Sequence, residues 1–203
     1  MYIFKYKELA ESLYESLNTN PFYVALLNPL DENTTDKKDA LLKYFDYSMQ
    51  EADQYGKLFI PKDHDYGVSI WSKPLSASDE SNRNNKKKAF IKQNLGNDSL
   101  HIYTTVTSSM AEKLQGSIPD TAWYLSILGV RPDYQGQGLG SELVRNVLRD
   151  TDNQMKVTYL ETFNPKSIKF YQRLGYETLD KVDEPVTGSS YWILVRKPNT
   201  IGC

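Results

Sequence analysis

The stretch Gln135-Gly136-Gln137-Gly138-Leu139-Gly140 is the part of this sequence best suited to holding a ligand. Its glycines remove the β-carbons that would keep an anion away from backbone N–H groups, and they open backbone angles closed to other residues. An apolar run, Trp123 to Val130, precedes the stretch, and a helical stripe of Leu139, Leu143, Val144, Val147 and Leu148 follows it. A glycine-rich turn that feeds a helix presents unpaired N–H donors at the positive end of the helix dipole, which attracts phosphate. The chemistry predicted is pyrophosphate binding. A glycine turn with no ligand accounts for the same residues structurally.

Phosphate-binding loops differ in spacing. A nucleotide-triphosphate loop ends in Gly-Lys-Ser/Thr, which is absent here. A dinucleotide fingerprint needs glycines at its first, third and sixth places, and Ser141 stands where the last would fall. Glu161 does fall about where that fingerprint's ribose-binding acid would sit, but Arg131-Pro132-Asp133-Tyr134 separates the apolar strand from Gln135.

The third pattern is Gln/Arg-x-x-Gly-x-Gly, matched by Gln135, Gly138 and Gly140. With Trp123 to Val130 before it, and Leu160-Glu161-Thr162 and Phe170-Tyr171-Gln172-Arg173-Leu174-Gly175-Tyr176 after it, this region resembles the C-terminal half of GNAT acetyltransferases. The resemblance implies a mixed α/β (α+β) fold: a central, mostly antiparallel sheet with splayed strands, flanked by helices. It implies acetyl-CoA as acyl donor and a primary amine, most simply on a small molecule, as acceptor. It assigns cofactor binding to Gln135, Gly136, Gln137, Gly138, Leu139, Gly140 and Ser141, to backbone groups of Leu128 and Val130, and to Asn164. It places Tyr171 beside the thioester sulfur as general acid, a role its ordinary pKa of about 10 permits at neutral pH. Residues 1–121 would form the acceptor side and 122–203 the acetyl-CoA side of a single domain. A non-catalytic acyl-CoA-binding module and a protein or peptide N-acetyltransferase are the competing functions.

Other candidates carry a structural reading as well. Glu161 lies on a predicted strand, residues 157–162, bordering the site; it could accept the amine's proton, or alternation could turn it to solvent. Asn164-Pro165 reads equally as a helix N-cap followed by proline at the first helical position. Tyr171 fits a core position beside Phe170 and Leu174. His64 and His101 sit in no recognisable constellation. The single cysteine, Cys203, excludes an internal disulfide and a multi-thiolate metal site within one chain, and a covalent thiol intermediate there is disfavoured. The expectation is direct transfer with no metal.

The elements that must position these residues are partly legible. Leu9, Leu13 and Leu17 mark a first helix ended by Asn18-Thr19-Asn20-Pro21. Residues 37–54 form a second, with Leu41, Leu42, Phe45, Met49 and Ala52 on one face and Gly56 as its stop. Residues 58–60 and 66–71 read as a hairpin, and the polar, apolar-poor residues 76–85 as a surface loop. Helices are predicted between residues 86 and 115, and Trp123 to Val130 as a strand buried on both faces. A short helix capped by Gly175 and a hairpin of residues 176–182 and 191–195 complete the chain. Tyrosines Tyr2, Tyr6, Tyr14, Tyr23, Tyr44, Tyr47 and Tyr55 crowd the first third and could line an acceptor pocket, although packing explains them too.

Composition sets outer limits. The chain has 203 residues, 39% hydrophobic and 25% charged, with a formal charge of −2. That suits one globular core and offers no general attraction for nucleic acid. No apolar run approaches the roughly 20 residues of a membrane span. The N-terminus lacks a secretion signal. The expectation is a cytoplasmic protein without nucleic-acid or membrane partners.

Overall fold

A computed structural model describes residues 2–31 and 36–199. Cys203 lies outside the described residues. Three helices lead: α1 (Lys7–Leu17), α2 (Pro21–Leu27) and α3 (Lys37–Tyr55). The segment that ends α1 also starts α2. Asn20 Oδ1 accepts from the Phe22 N–H at 2.9 Å, with Pro21 in the first turn, where its missing N–H is harmless. A stop signal by its residue types, this segment is also a start, and α2 is a helix the sequence pattern does not predict. Asp36 caps α3, accepting from Lys38 N–H at 2.8 Å, and Gly56 closes it.

The strands are β1 (Gly56–Phe59), β2 (Gly67–Ser72), β3 (Trp123–Val130), β4 (Thr158–Thr162), β5 (Glu177–Glu184) and β6 (Ser189–Arg196). They form a six-stranded sheet in the order β1-β2-β3-β4-β6-β5. Every pairing is antiparallel except β3 with β4. The mixed, mostly antiparallel architecture is the one expected. One face of the sheet, including Val68, Ile70 and Ile127, packs on the helices before β3. The other, including Trp71, Leu125, Leu160 and Leu194, packs on α5 (Leu139–Asn153) and α6 (Ile168–Arg173).

Between β2 and β3 runs α4 (Ala77–Leu114), interrupted at Gly96, whose φ of 90° and ψ of 176° break the helical path. Residues 77–85 are therefore helical, correcting the expected surface loop. Ser76 caps the helix, accepting from Asp79 N–H at 3.2 Å, and Glu80 pairs with Arg83 one turn later. The stretch looked loop-like because its face is solvated. Its apolar anchor, Phe90, Ile91 and Leu95, comes only in the later turns.

In β3, burial alternates instead of covering both faces: Leu125, Ile127 and Gly129 are buried, while their neighbours are only partly so. Ile70 of β2 faces Ile127 and Trp71 faces Leu125, so Ser126 is an extra residue, a β-bulge. The bulge puts Leu125 and Ile127 in opposite cores although they are two residues apart. Gly129 admits α1 against the strand. A β-carbon there would stand 2.5 Å from Ser16 Oγ and 2.6 Å from Leu13 Cδ2.

Candidate functional site

Strands β3 and β4 pair only at Trp123–Thr158 and Tyr124–Tyr159, after which they part. Arg131 N–H donates to the Tyr66 carbonyl at 2.8 Å on the β2 side. Strand alternation therefore turns the backbone polar groups of Val130 and Leu128 the opposite way, into the gap before β4. The bulge at Ser126 sits where the parting begins. The expected splay is present, with Leu128 and Val130 on its open edge.

The glycine loop closes one end of the gap. A 3₁₀ turn, Pro132–Tyr134, leads into it, and Gln135 Nε2 donates back to the Val130 carbonyl at 2.9 Å. Gln137 Nε2 donates to the Asp133 carbonyl at 3.2 Å. Gly136 and Gly138 hold φ of 79° and 83°, left-handed values that other residues seldom adopt. Gly138 is the N-cap of α5 and supplies no side-chain cap, so the first-turn N–H groups of Leu139 and Gly140 have no cap, while Ser141 N–H donates to the Gly138 carbonyl at 3.0 Å. Gly140 lies close to α6, since a β-carbon on it would stand 3.4 Å from the Phe170 ring. Helix α5 is pinned to the sheet through Ser69, whose hydroxyl donates to the Leu143 carbonyl at 2.6 Å and accepts from Trp71 Nε1 at 3.0 Å.

Tyr171 and Glu161 lie on opposite faces of the sheet across this gap. Tyr171, 9% exposed, packs with Leu160, Leu125 and Val144 on the α5 face, its ring edge-on to Phe170 and Tyr176. Burial raises its phenol above its ordinary pKa, so it stays protonated through the neutral range. Its helix ends as expected at Gly175, with φ of 90°, and Tyr176 N–H donates to the Tyr171 carbonyl at 3.1 Å. Asn164 performs the N-cap role: its Oδ1 accepts from Lys166 N–H at 3.0 Å.

Glu161 does not face solvent. Its alternation matches Tyr159, and both line a cavity of about 750 Å³ enclosed by α2, α3, α4, β3 and β4. Burial pushes the Glu161 carboxyl up to about 7, opposed by a hydrogen bond from Tyr124. One of its oxygens, Oε2, is shielded from solvent and has no partner among the described residues. Tyr124 stacks on Tyr159 with ring centroids 4.8 Å apart.

The remaining walls come from residues with no sequence motif. Tyr23, Tyr44, Tyr55 and Tyr103 contribute rings, Glu80 and Asp120 line the cavity too, and Glu51 on α3 contributes a carboxylate whose Oε1 is likewise shielded and without a partner among the described residues. Of the tyrosines crowding the first third, Tyr23, Tyr44 and Tyr55 reach the cavity. Tyr2 and Tyr6 instead bond Asp46 and Asp53, and Tyr47 stacks on Phe90. Lys87, 5% exposed, also lines the cavity, with its Nζ donating to Ser48 Oγ at 2.7 Å and lying 4.3 Å from the Tyr44 ring centroid. His64 and His101 are exposed and outside it. Glu51 left one signal: it lies seven residues after Tyr44, two turns along the same face of α3.

Residues 106–178 match the family model described as "Acetyltransferase (GNAT) domain". Solved structures share the architecture across nearly the whole chain. A Corynebacterium glutamicum protein, "histone acetyltransferase HPA2 and related acetyltransferase", is 16% identical, with a TM-score of 0.65 over 98% of this chain and 93% of its own. A Drosophila melanogaster polyamine N-acetyltransferase is 16% identical, with a TM-score of 0.57 over 95% of each chain. Arylalkylamine N-acetyltransferase 2 from Aedes aegypti is 14% identical, with a TM-score of 0.53 over 96% of this chain and 94% of its own. At such identities the likeness establishes the fold. Among curated proteins, a Dictyostelium discoideum "Probable serine/threonine-protein kinase" is 32% identical over 81 residues, 39% of this chain. The chain spans only 11% of that protein's length.

Proposed function

We propose that this protein transfers an acetyl group from acetyl-CoA to a primary amine on a small molecule, within a ternary complex. The observation that carries the reading is the gap between β3 and β4. It is bordered by an anion-attracting helix N-terminus and opens toward an aromatic cavity holding a partly desolvated carboxylate. The pyrophosphate lies on the backbone of Gln135 to Ser141. The pantetheine arm fills the missing rungs against Leu128 and Val130, with Asn164 at its border. The amine nitrogen attacks the thioester carbonyl while its proton passes to Glu161, directly or through water. The carbon–sulfur bond then breaks, and Tyr171 protonates the departing thiolate. The family match over residues 106–178 supports the donor, and the fold shared with the Drosophila melanogaster polyamine N-acetyltransferase is consistent with a small acceptor.

The test begins with thermal unfolding in saturating acetyl-CoA, CoA or NAD, because ligand at about 100 times its dissociation constant stabilises by about 2.7 kcal/mol. Midpoints rising with both CoA species and not with NAD, followed by amine-dependent CoA release, are the expected results. No rise with either CoA species removes the cofactor assignment. Binding without release across a broad amine panel identifies an acyl-CoA-binding module instead.

A further inference from the structure

Transfer to a simple amine needs one carboxylate near the reacting nitrogen, yet of the four that line the cavity, Glu51, Glu80, Asp120 and Glu161, two from different elements keep a shielded oxygen without a donor. Glu161 Oε2 projects from β4 and Glu51 Oε1 from α3, and each is shielded from solvent without a hydrogen-bond donor among the described residues. A buried carboxylate oxygen left without a donor is costly, and a ligand that brings one relieves the cost. Lys87 acts electrostatically on Glu51, but its Nζ donates to Ser48 Oγ and leaves Glu51 Oε1 without a donor, and burial biases it toward the neutral amine. The same cavity is walled by tyrosine rings: Tyr44 and Tyr103 act electrostatically with Glu51, Tyr124 with Glu161, and Tyr23 lies edge-on to Tyr44 with centroids 5.7 Å apart. Aromatic faces attract organic cations and accept methylene chains.

We propose that the acceptor is an extended dication, an amine bearing a second ammonium or guanidinium group, whose far charge is held by Glu51 while the reacting nitrogen lies at Glu161. This rests on the acetyltransferase reading above and adds the acceptor's chemical class. The opposite class, an amine with a distant carboxylate, would use the cations that line the same cavity, Lys73, Arg83, Lys87 and Lys88. Arg83 is already paired with Glu80, Lys73 and Lys88 are exposed, and burial biases Lys87 toward the neutral amine.

The experiment compares α,ω-diamines from propane to octane with monoamines and ω-amino acids of the same lengths, using wild type and Glu51→Gln. It reads kcat/KM for acetyl transfer and, without acetyl-CoA, the shift in unfolding midpoint. The expected result is a preference for the best diamine over its monoamine of about tenfold to a hundredfold. That ratio should collapse toward one in Glu51→Gln, with a diamine-specific midpoint rise lost in the same variant. Equal use of monoamines, preference for ω-amino acids, or an unchanged ratio in Glu51→Gln overturns the proposal while leaving acetyl transfer standing. If no amine is acetylated, the transfer reading falls, and the diamine midpoint shift alone decides whether the dication site exists.

Discussion

The Glu161 carboxylate meets the Tyr124 hydroxyl at the rung where β3 and β4 stop pairing. The contact therefore lies at the head of the gap, where the acceptor cavity and the splayed strands adjoin. Tyr124 steadies the anion, but burial dominates and leaves the group titrating at about 7.

Glu161→Gln separates function from stability. In wild type the rate should climb as pH rises through about 7 and then level. The variant should lose about a hundredfold or more in kcat together with that limb. A pH–rate profile that keeps the limb in the variant places the base elsewhere.

The same residue should destabilise the fold at neutral pH. Its folded value of about 7 exceeds the ordinary 4.5, so the native state holds the proton more tightly than the unfolded chain. The contribution is complete below about 4.5 and is lost as pH rises toward 7. Glu161→Gln should raise the unfolding free energy at pH 8 by on the order of 2–3 kcal/mol and barely change it at pH 4. Denaturant titrations at the two pH values check this, and equal effects at both would contradict it.

Tyr171→Phe keeps the ring packed among Leu160, Leu125 and Val144 while deleting the proton donor. Turnover should fall by about a hundredfold or more, with the CoA dissociation constant changed by less than about threefold. Unaltered kcat under saturating substrates would return Tyr171 to a packing role.

Gly138→Ala tests the loop. Nothing lies within 4 Å of the added methyl, so the fold should bear only the cost of a φ of 83°, about 1–2 kcal/mol. Calorimetric titration should show CoA binding weakened by about tenfold or more, because the backbone approach to the pyrophosphate is disturbed. Full affinity in a strained but folded variant would mean that the loop does not hold the ligand.

Asp152 near the end of α5 grips Arg196 of β6 through two contacts of 2.7 Å, and Arg196 Nε also holds the Leu174 carbonyl just after α6. Burial alone would raise Asp152, but hydrogen bonds from Arg196 and Asn199 and the Arg196 charge outweigh it and hold the group below its ordinary range. The resulting stability is present above about pH 4 and is lost as pH falls through the depressed native value. Asp152→Ala strands a guanidinium that is 4% exposed and should cost about 3–5 kcal/mol at pH 7. Urea unfolding checks the loss, and the deficit should shrink at acid pH.

What the sequence by itself determined is what short stretches of backbone impose. Gly136 and Gly138 mark positive φ, Leu139 onward carries the α5 stripe, and Asn164-Pro165 and Gly175 bracket a short helical segment. Each depends on partners a few residues away, so spacing alone reveals it, and the C-terminal half was readable for that reason. Residues 76–85 look like a loop in the sequence because their cap and ion pair stabilise a solvated helix without an early apolar stripe. Only the tertiary structure decided that Glu51 of α3 and Glu161 of β4 share a cavity, and that Tyr23, Tyr44, Tyr103 and Tyr124 line it. Nothing local distinguishes those side chains from surface acids and core tyrosines. Their desolvation arises when α2, α3 and α4 close over the sheet, an energy that exists only between segments distant in the chain.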